Sequence, residues 1–120
     1  LGFRSLRHEG KVLGLAAFGK PVHADRLTSL YTVSDDGQIH CALPRWRVRM
    51  LVNSLAKSCS REDMAASVQQ TLETVTLSAL DKLLRRAPVR HLCLSGGVFA
   101  NVKLTQRIAE RFDLDEVFVY

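Results

Sequence analysis

Residues 91 to 112 read His91-Leu92-Cys93-Leu94-Ser95-Gly96-Gly97-Val98-Phe99-Ala100-Asn101-Val102-Lys103-Leu104-Thr105-Gln106-Arg107-Ile108-Ala109-Glu110-Arg111-Phe112. The apolar run Leu92, Cys93, Leu94 has the length and character of a buried strand, and Ser95-Gly96-Gly97 of a tight turn. Val98, Val102, Ile108 and Phe112 then recur as one face of a helix. The first turn of a helix leaves backbone N–H groups unpaired and partly positive, so a phosphate can settle there if no side chain obstructs it. Gly96 and Gly97 remove that obstruction, and Asn101, about one helical turn further on, is spaced to reach back toward whatever the turn holds. The same glycines are also consistent with a chain that merely reverses in little space, and the stretch matches neither the Walker nor the Rossmann pattern. On pattern alone both readings stay open.

Outward from this stretch, Val117-Phe118-Val119-Tyr120 reads as a second strand. Upstream, Ser60-Arg61-Glu62-Asp63 resembles a capping box. Met64, Val68, Leu72, Val75, Ala79, Leu80 and Leu83 follow as an apolar stripe, which predicts one long helix ending near Arg86, before Pro88. Its polar residues Gln69, Gln70, Glu73 and Asp81 are read as solvent-facing scaffold. The order helix, strand, glycine turn, helix, strand predicts a parallel unit, and in open α/β sheets ligands gather at the carboxyl ends of the strands, where Gly96 and Gly97 stand.

The first half is less uniform. The small and apolar residues after Glu9 suit a short helix packed closely on a neighbour, with Gly19 placed as a left-handed cap and Pro21 following. Glu9 and Lys11 do not face each other on a helix, so each is free to address something else. Val12 stands where a P-loop needs Ser or Thr. A short helix is expected over residues 23–30. Asp36-Gly37 predicts a hairpin between residues 32–34 and 38–43, with Ile39, Cys41 and Leu43 turned inward and His40 outward. Residues 45–59 carry a basic start and an apolar patch consistent with a short helix. The scattered histidines His8, His23, His40 and His91 do not form a zinc pattern.

Composition bounds the function. The 120 residues allow one domain, and 47% apolar with 24% charged residues is ordinary for a globular chain. No apolar run is long enough for a bilayer. The net charge of +5 is spread over Arg4, Arg7, Arg45, Arg47, Arg49, Arg85, Arg86 and Arg90, with only Trp46 interleaved, which speaks against nucleic acid as a partner. Cys41, Cys59 and Cys93 are odd in number and widely spaced, so free, buried thiols in a reducing cytoplasm are expected. A start at Leu1 without methionine and a close on a strand-like segment suggest a piece of a longer protein.

Three blocks carry a resemblance: residues 8–19 (His8-Glu9-Gly10-Lys11 through Gly19), residues 65–73 (Ala65-Ala66-Ser67-Val68-Gln69-Gln70-Thr71-Leu72-Glu73) and residues 92–101. In this order they resemble the NodU/CmcH-type O-carbamoyltransferase family. The resemblance implies an α/β chain, the central part of a nucleotide-binding domain of the actin, Hsp70 and sugar-kinase (ribonuclease H-like) type, close to the threonylcarbamoyl-adenosine synthase. It further implies ATP and carbamoyl phosphate as substrates, a carbamoyl adenylate, and transfer of the carbamoyl group to a small-molecule hydroxyl. It places Gly96, Gly97 and Asn101 at the nucleotide and, more loosely, Glu9, Lys11 and Gly14 along the cleft. The family's iron-type divalent metal is held by a histidine pair and an aspartate that residues 1–120 do not contain, so metal ligands and acceptor pocket are expected in the remainder of the polypeptide. Two other readings stay open: a non-catalytic actin-like scaffold or regulatory domain, and a kinase of the same superfold.

Overall fold

The computed structural model describes residues 9–120. Its helices and strands follow in the order α1 (Glu9–Ala16), α2 (Ala24–Thr28), β1 (Tyr31–Val33), β2 (Ile39–Cys41), α3 (Arg45–Leu55), α4 (Arg61–Arg86), β3 (His91–Leu94), a 3-10 turn (Gly97–Ala100), α5 (Val102–Arg111) and β4 (Glu116–Val119). The small α/β architecture expected from the alternating helix and strand signals is present.

Helix α4 is the spine. It starts where the sequence signals it, with the Ser60 hydroxyl accepting a hydrogen bond from the Asp63 amide at 3.0 Å. Glu62 and Asp63 sit in its first turn and Arg85 and Arg86 in its last, the arrangement the helix dipole favours. Three apolar clusters line up along it. Ala16 of α1 packs on Ala65 and Ala66, with Val12 and Leu15 beside them. Leu27 of α2 and Leu55 of α3 pack on Met64. Leu80 meets Leu94 of β3 with Leu104 and Ile108 of α5.

Because neighbours cover α4 on several sides, its buried set is wider than a single stripe. Ser67, Gln69, Thr71 and Glu73 are buried, whereas Leu83 is exposed. The expectation that Gln69 and Glu73 face solvent is therefore corrected. A polar residue on a helix enclosed on several flanks goes inside when partners wait there, and no buried side-chain nitrogen or oxygen among the described residues lacks one.

Gly19 also departs from its expected role. Its φ is not positive, since Gly37 and Gly96 are the described glycines with that conformation. Gly19 instead lies where an added Cβ would stand 2.0 Å from the Glu62 carbonyl oxygen, and next to it the Lys20 amide donates to Asp63 Oδ1 at 2.7 Å. Close approach of α1's exit to the first turn of α4, not a left-handed cap, requires glycine here.

The hairpin forms as Asp36-Gly37 signals. β1 and β2 pair antiparallel with Thr32 opposite His40, and Gly37 takes φ +80°. Lys82 of α4 ties the loop down by donating to the Val33 carbonyl at 2.7 Å and pairing with Asp35 at 3.1 Å. Ile39 and Cys41 are exposed rather than inward, because β2 has only β1 as a strand partner among the described residues.

Strands β3 and β4 pair in parallel with Leu92 opposite Val117 and Leu94 opposite Val119. Leu104 and Ile108, both 0% exposed, press α5 onto this pair and onto α4. The apolar face differs from the expected one: Val98 and Val102 are exposed, since the glycine turn passes first through a 3-10 segment and α5 begins only after Asn101. At the base of the pair Arg90 holds Asp115 through two bonds of 2.6 and 2.7 Å and Asp113 through one of 3.0 Å. The Arg90 hydrogen bonds hold the Asp115 carboxyl below the usual carboxylate range.

Candidate functional site

Strand β3 ends at buried Leu94, whose carbonyl accepts from the Tyr120 amide at 2.9 Å, and the chain then leaves the sheet through Ser95 and Gly96. Gly96 takes φ +112° and ψ 156°, a conformation essentially confined to glycine. The turn closes through the Phe99 amide on the Gly96 carbonyl at 3.0 Å and the Asn101 amide on the Val98 carbonyl at 3.2 Å. The amides of Gly96 and Gly97 themselves meet no acceptor among the described residues. Both glycines are exposed, and a Cβ added to either would meet nothing within 4 Å.

Gly97, Val98, Ala100 and Asn101 line a cavity of about 560 Å³ together with Gly10 and Leu13 of α1 and Leu72 of α4. That volume lies within the range of about 300–1,000 Å³ typical of small-molecule sites. Gly10, Gly97 and Ala100 are the small members of a lining that Leu13, Leu72 and Val98 make largely apolar.

Asn101 does not turn back toward the glycines. Its Oδ1 accepts from the Leu104 amide at 3.1 Å and so caps α5, which satisfies a first-turn donor of that helix from within the chain. Its Nδ2 donates to Gln69 Oε1 at 2.8 Å, and Gln69 Nε2 donates back to Asn101 Oδ1 at 3.2 Å and on to Glu73 Oε1 at 2.8 Å. The buried Glu73 carboxylate in turn faces Lys103 at 3.6 Å and Arg107 at 3.5 Å, both from α5. The cap leaves the glycine-doublet amides unpaired ahead of α5, together with those of Val98, Val102 and Lys103 among the described residues.

The other expected site residues fall as follows. Glu9 opens α1, and its side chain lies outside the described residues. Lys11 and Gly14 are exposed on α1 but do not line the cavity, and Lys11 has no ion-pair partner among the described residues. The helix turns Gly10 and Leu13 inward instead, which the sequence signalled only through glycine at a position three residues from leucine. Gln69 and Glu73 were passed over as scaffold. Their signal was an i, i+4 polar pair following a run of small residues, a pattern suited to close helix packing.

The bare amides and the open space at Gly97 fit a phosphate group such as that of ATP. For a metal the fit is absent: among the described residues no group of three or more His, Cys, Asp or Glu side chains converges. Cys41, Cys59 and Cys93 are free thiols, but not buried as expected: Cys41 and Cys93 are exposed on strands with one pairing partner each among the described residues, and Cys59 is partly buried. Among the described residues no helix is long and apolar enough to cross a membrane.

Comparison with known proteins places this chain in a family. An uncharacterized protein of Methanocaldococcus jannaschii is 25% identical over 135 residues, covering 100% of this chain and 21% of that protein. The nodulation protein NolO of Bradyrhizobium diazoefficiens is 28% identical over 118 residues, covering 92% of this chain and 22% of NolO. The tRNA N6-adenosine threonylcarbamoyltransferase of Streptococcus thermophilus is 42% identical over 57 residues, covering 47% of this chain and 17% of that enzyme. The chain thus spans about a fifth of the length of the curated relatives it matches. The model of the carbamoyltransferase N-terminus matches residues 1–120 throughout, and the chain belongs to that carbamoyltransferase family.

Proposed function

We propose that this chain supplies the phosphate-holding turn of an ATP-dependent carbamoyltransferase acting in the cytoplasm. The single observation that carries the proposal is the pair of unengaged amides at Gly96 and Gly97, the second of them on the wall of the 560 Å³ cavity. In this reading water cleaves carbamoyl phosphate to carbamate and inorganic phosphate. The carbamate oxygen attacks the α-phosphorus of ATP to give carbamoyl adenylate and pyrophosphate, and the carbamoyl group then passes to the hydroxyl of a small-molecule acceptor with AMP as the leaving group. The chain's own part is electrostatic. Fixed N–H dipoles in a sheltered cleft hold phosphate charge without reorganising, which is the form of stabilisation that lowers such barriers most. Gly96 and Gly97 hold that charge and Asn101 fixes the turn. Lys11, Glu9 and Gly14 border the cleft once the rest of the polypeptide is in place. That remainder contributes the divalent metal and the acceptor pocket, within an actin-like nucleotide-binding domain of which this is the central part. Family membership supports the carbamoyl chemistry, and the free thiols support a reducing compartment.

The test is Gly97→Val in the full-length protein, titrated with ATP in a calorimeter. The backbone there accepts a side chain and nothing lies within 4 Å of its Cβ, so the fold stays intact while the valine fills the space proposed for phosphate. The expected loss is at least about tenfold in affinity, or roughly 1.4 kcal/mol. Unchanged affinity overturns the site. Carbamoyl phosphate supplied with ATP then distinguishes the chemistry: pyrophosphate release supports carbamoyl transfer, ADP release indicates a kinase, and the absence of both a non-catalytic scaffold.

A further inference from the structure

We infer that Gln69 and Glu73 are positioning residues that hold the glycine turn in register through Asn101, an inference that rests on the nucleotide reading of that turn. The argument begins with the direction of an amide. Gln69 is buried, and its amide has two neighbours of different character: the Glu73 carboxylate, which only accepts, and the Asn101 amide, which both donates and accepts. With Nε2 toward Glu73 every contact is a donor meeting an acceptor. Reversed, a carbonyl oxygen faces a carboxylate oxygen and an NH2 faces the NH2 of Asn101. Glu73 thereby selects the orientation of Gln69.

The selection propagates. A Gln69 that offers Oε1 requires Asn101 to answer with Nδ2, which leaves Asn101 Oδ1 aimed at the Leu104 amide. The opposite Asn101 orientation sets two donors against each other at the start of α5. One orientation is therefore shared by all three side chains, and Asn101 is the residue where the 3-10 turn (Gly97–Ala100) ends and α5 begins. Fixing Asn101 fixes the end of the turn that carries Gly97 into the cavity lining. Lys103 and Arg107, on α5 itself, reach Glu73 from the other side. They set α5 against α4, so the strap is held at both ends. Burial makes it consequential, since a mispaired polar group has no water to turn to.

The test uses the full-length protein with Gln69→Leu, Glu73→Gln, Asn101→Ala and the double variant Gln69→Leu/Asn101→Ala. ATP affinity and the separate kcat and KM for ATP are read alongside hydrogen exchange at residues 96–104. Gln69→Leu is expected to weaken ATP binding about tenfold, with a raised KM, and to speed exchange in the turn. Glu73→Gln keeps the shape but removes the acceptor-only carboxylate and its pairing with Lys103 and Arg107, so it is expected to weaken ATP binding several-fold and to speed exchange in the turn; wild-type affinity and exchange in this variant overturn the role of Glu73. If Gln69 acts through Asn101, the double variant is no worse than Asn101→Ala alone, whereas additive losses overturn the inference. Wild-type affinity and wild-type exchange in Gln69→Leu also overturn it. A wild-type protein that binds no ATP refutes the nucleotide reading separately; faster exchange at residues 96–101 in Gln69→Leu then still supports the strap, and unchanged exchange removes it.

Discussion

Replacing Gly19 with alanine adds one methyl group at the tightest backbone crossing among the described glycines. The new Cβ stands 2.0 Å from the Glu62 carbonyl oxygen, 2.1 Å from its carbonyl carbon and 2.6 Å from the Asp63 amide nitrogen. All three atoms belong to the backbone of α4's first turn, so no side chain can rotate away. Restoring a contact of about 3.5 Å requires the exit of α1 and the start of α4 to separate by roughly 1.5 Å. Forced overpacking of this kind costs about 1–3 kcal/mol. The same separation removes the Lys20-to-Asp63 hydrogen bond of 2.7 Å, worth about 1 kcal/mol, so the sum is about 2–4 kcal/mol. Hydrogen exchange by mass spectrometry on the full-length protein reads this locally. Peptides covering residues 10–20 and 61–70 are expected to exchange about 30- to 1,000-fold faster, at roughly 1.4 kcal/mol per factor of ten. Gly97→Ala is the internal control, because its Cβ meets nothing within 4 Å and protection there should hold. Protection at residues 10–20 that stays within about threefold of wild type refutes the close-approach account of Gly19.

Three further outcomes follow from the packing. Leu104→Ala empties a position that is 0% exposed between α4 and β3, and should lower the local opening free energy of α5 by about 3 kcal/mol; a loss under about 1 kcal/mol means that the site collapses around the gap. Gly96→Ala has open space for its methyl but must hold φ +112°, a strain of about 1–3 kcal/mol, so ATP binding should weaken through turn distortion rather than blockage, and wild-type affinity counts against a fixed turn. The third concerns acid. Arg90 lowers the folded pKa of Asp115, so this contact's stabilisation is complete above the unfolded value, about 3.9, and fades as pH falls through the folded value. Asp115→Asn should weaken the β3–β4 junction at neutral pH and remove its share of the loss below about pH 4, as followed by circular dichroism; an unchanged acid profile indicates that the carboxyl is not held there.

Much of the frame is legible locally because its signals are local. Ser60 with Asp63 three residues on marks the start of α4, Asp36-Gly37 marks the hairpin, and the run Leu92 to Leu94 before a glycine doublet marks β3 and its turn. Each rests on backbone geometry set within a few residues. The expected helices over residues 23–30 and 45–59 are present but shorter, at Ala24–Thr28 and Arg45–Leu55. Helix ends depend on caps, and neither helix has a side-chain cap at its start.

The candidate site divides along the same line. The sequence by itself determined that a strand ends in two glycines and that these precede a helix, since strand length, glycine permissiveness and apolar spacing are properties of the chain alone. Only the tertiary structure decided which residues face that turn. It chose Gly10 and Leu13 over Lys11 and Gly14 by the rotation of α1 against α4, and it drew Gln69 and Glu73 inside because α4 is covered on several flanks. Periodicity reports one face of a helix, whereas burial depends on how many neighbours arrive. The orientation of Asn101 likewise depends on a donor and an acceptor brought by α4, so it became readable only once the two helices met.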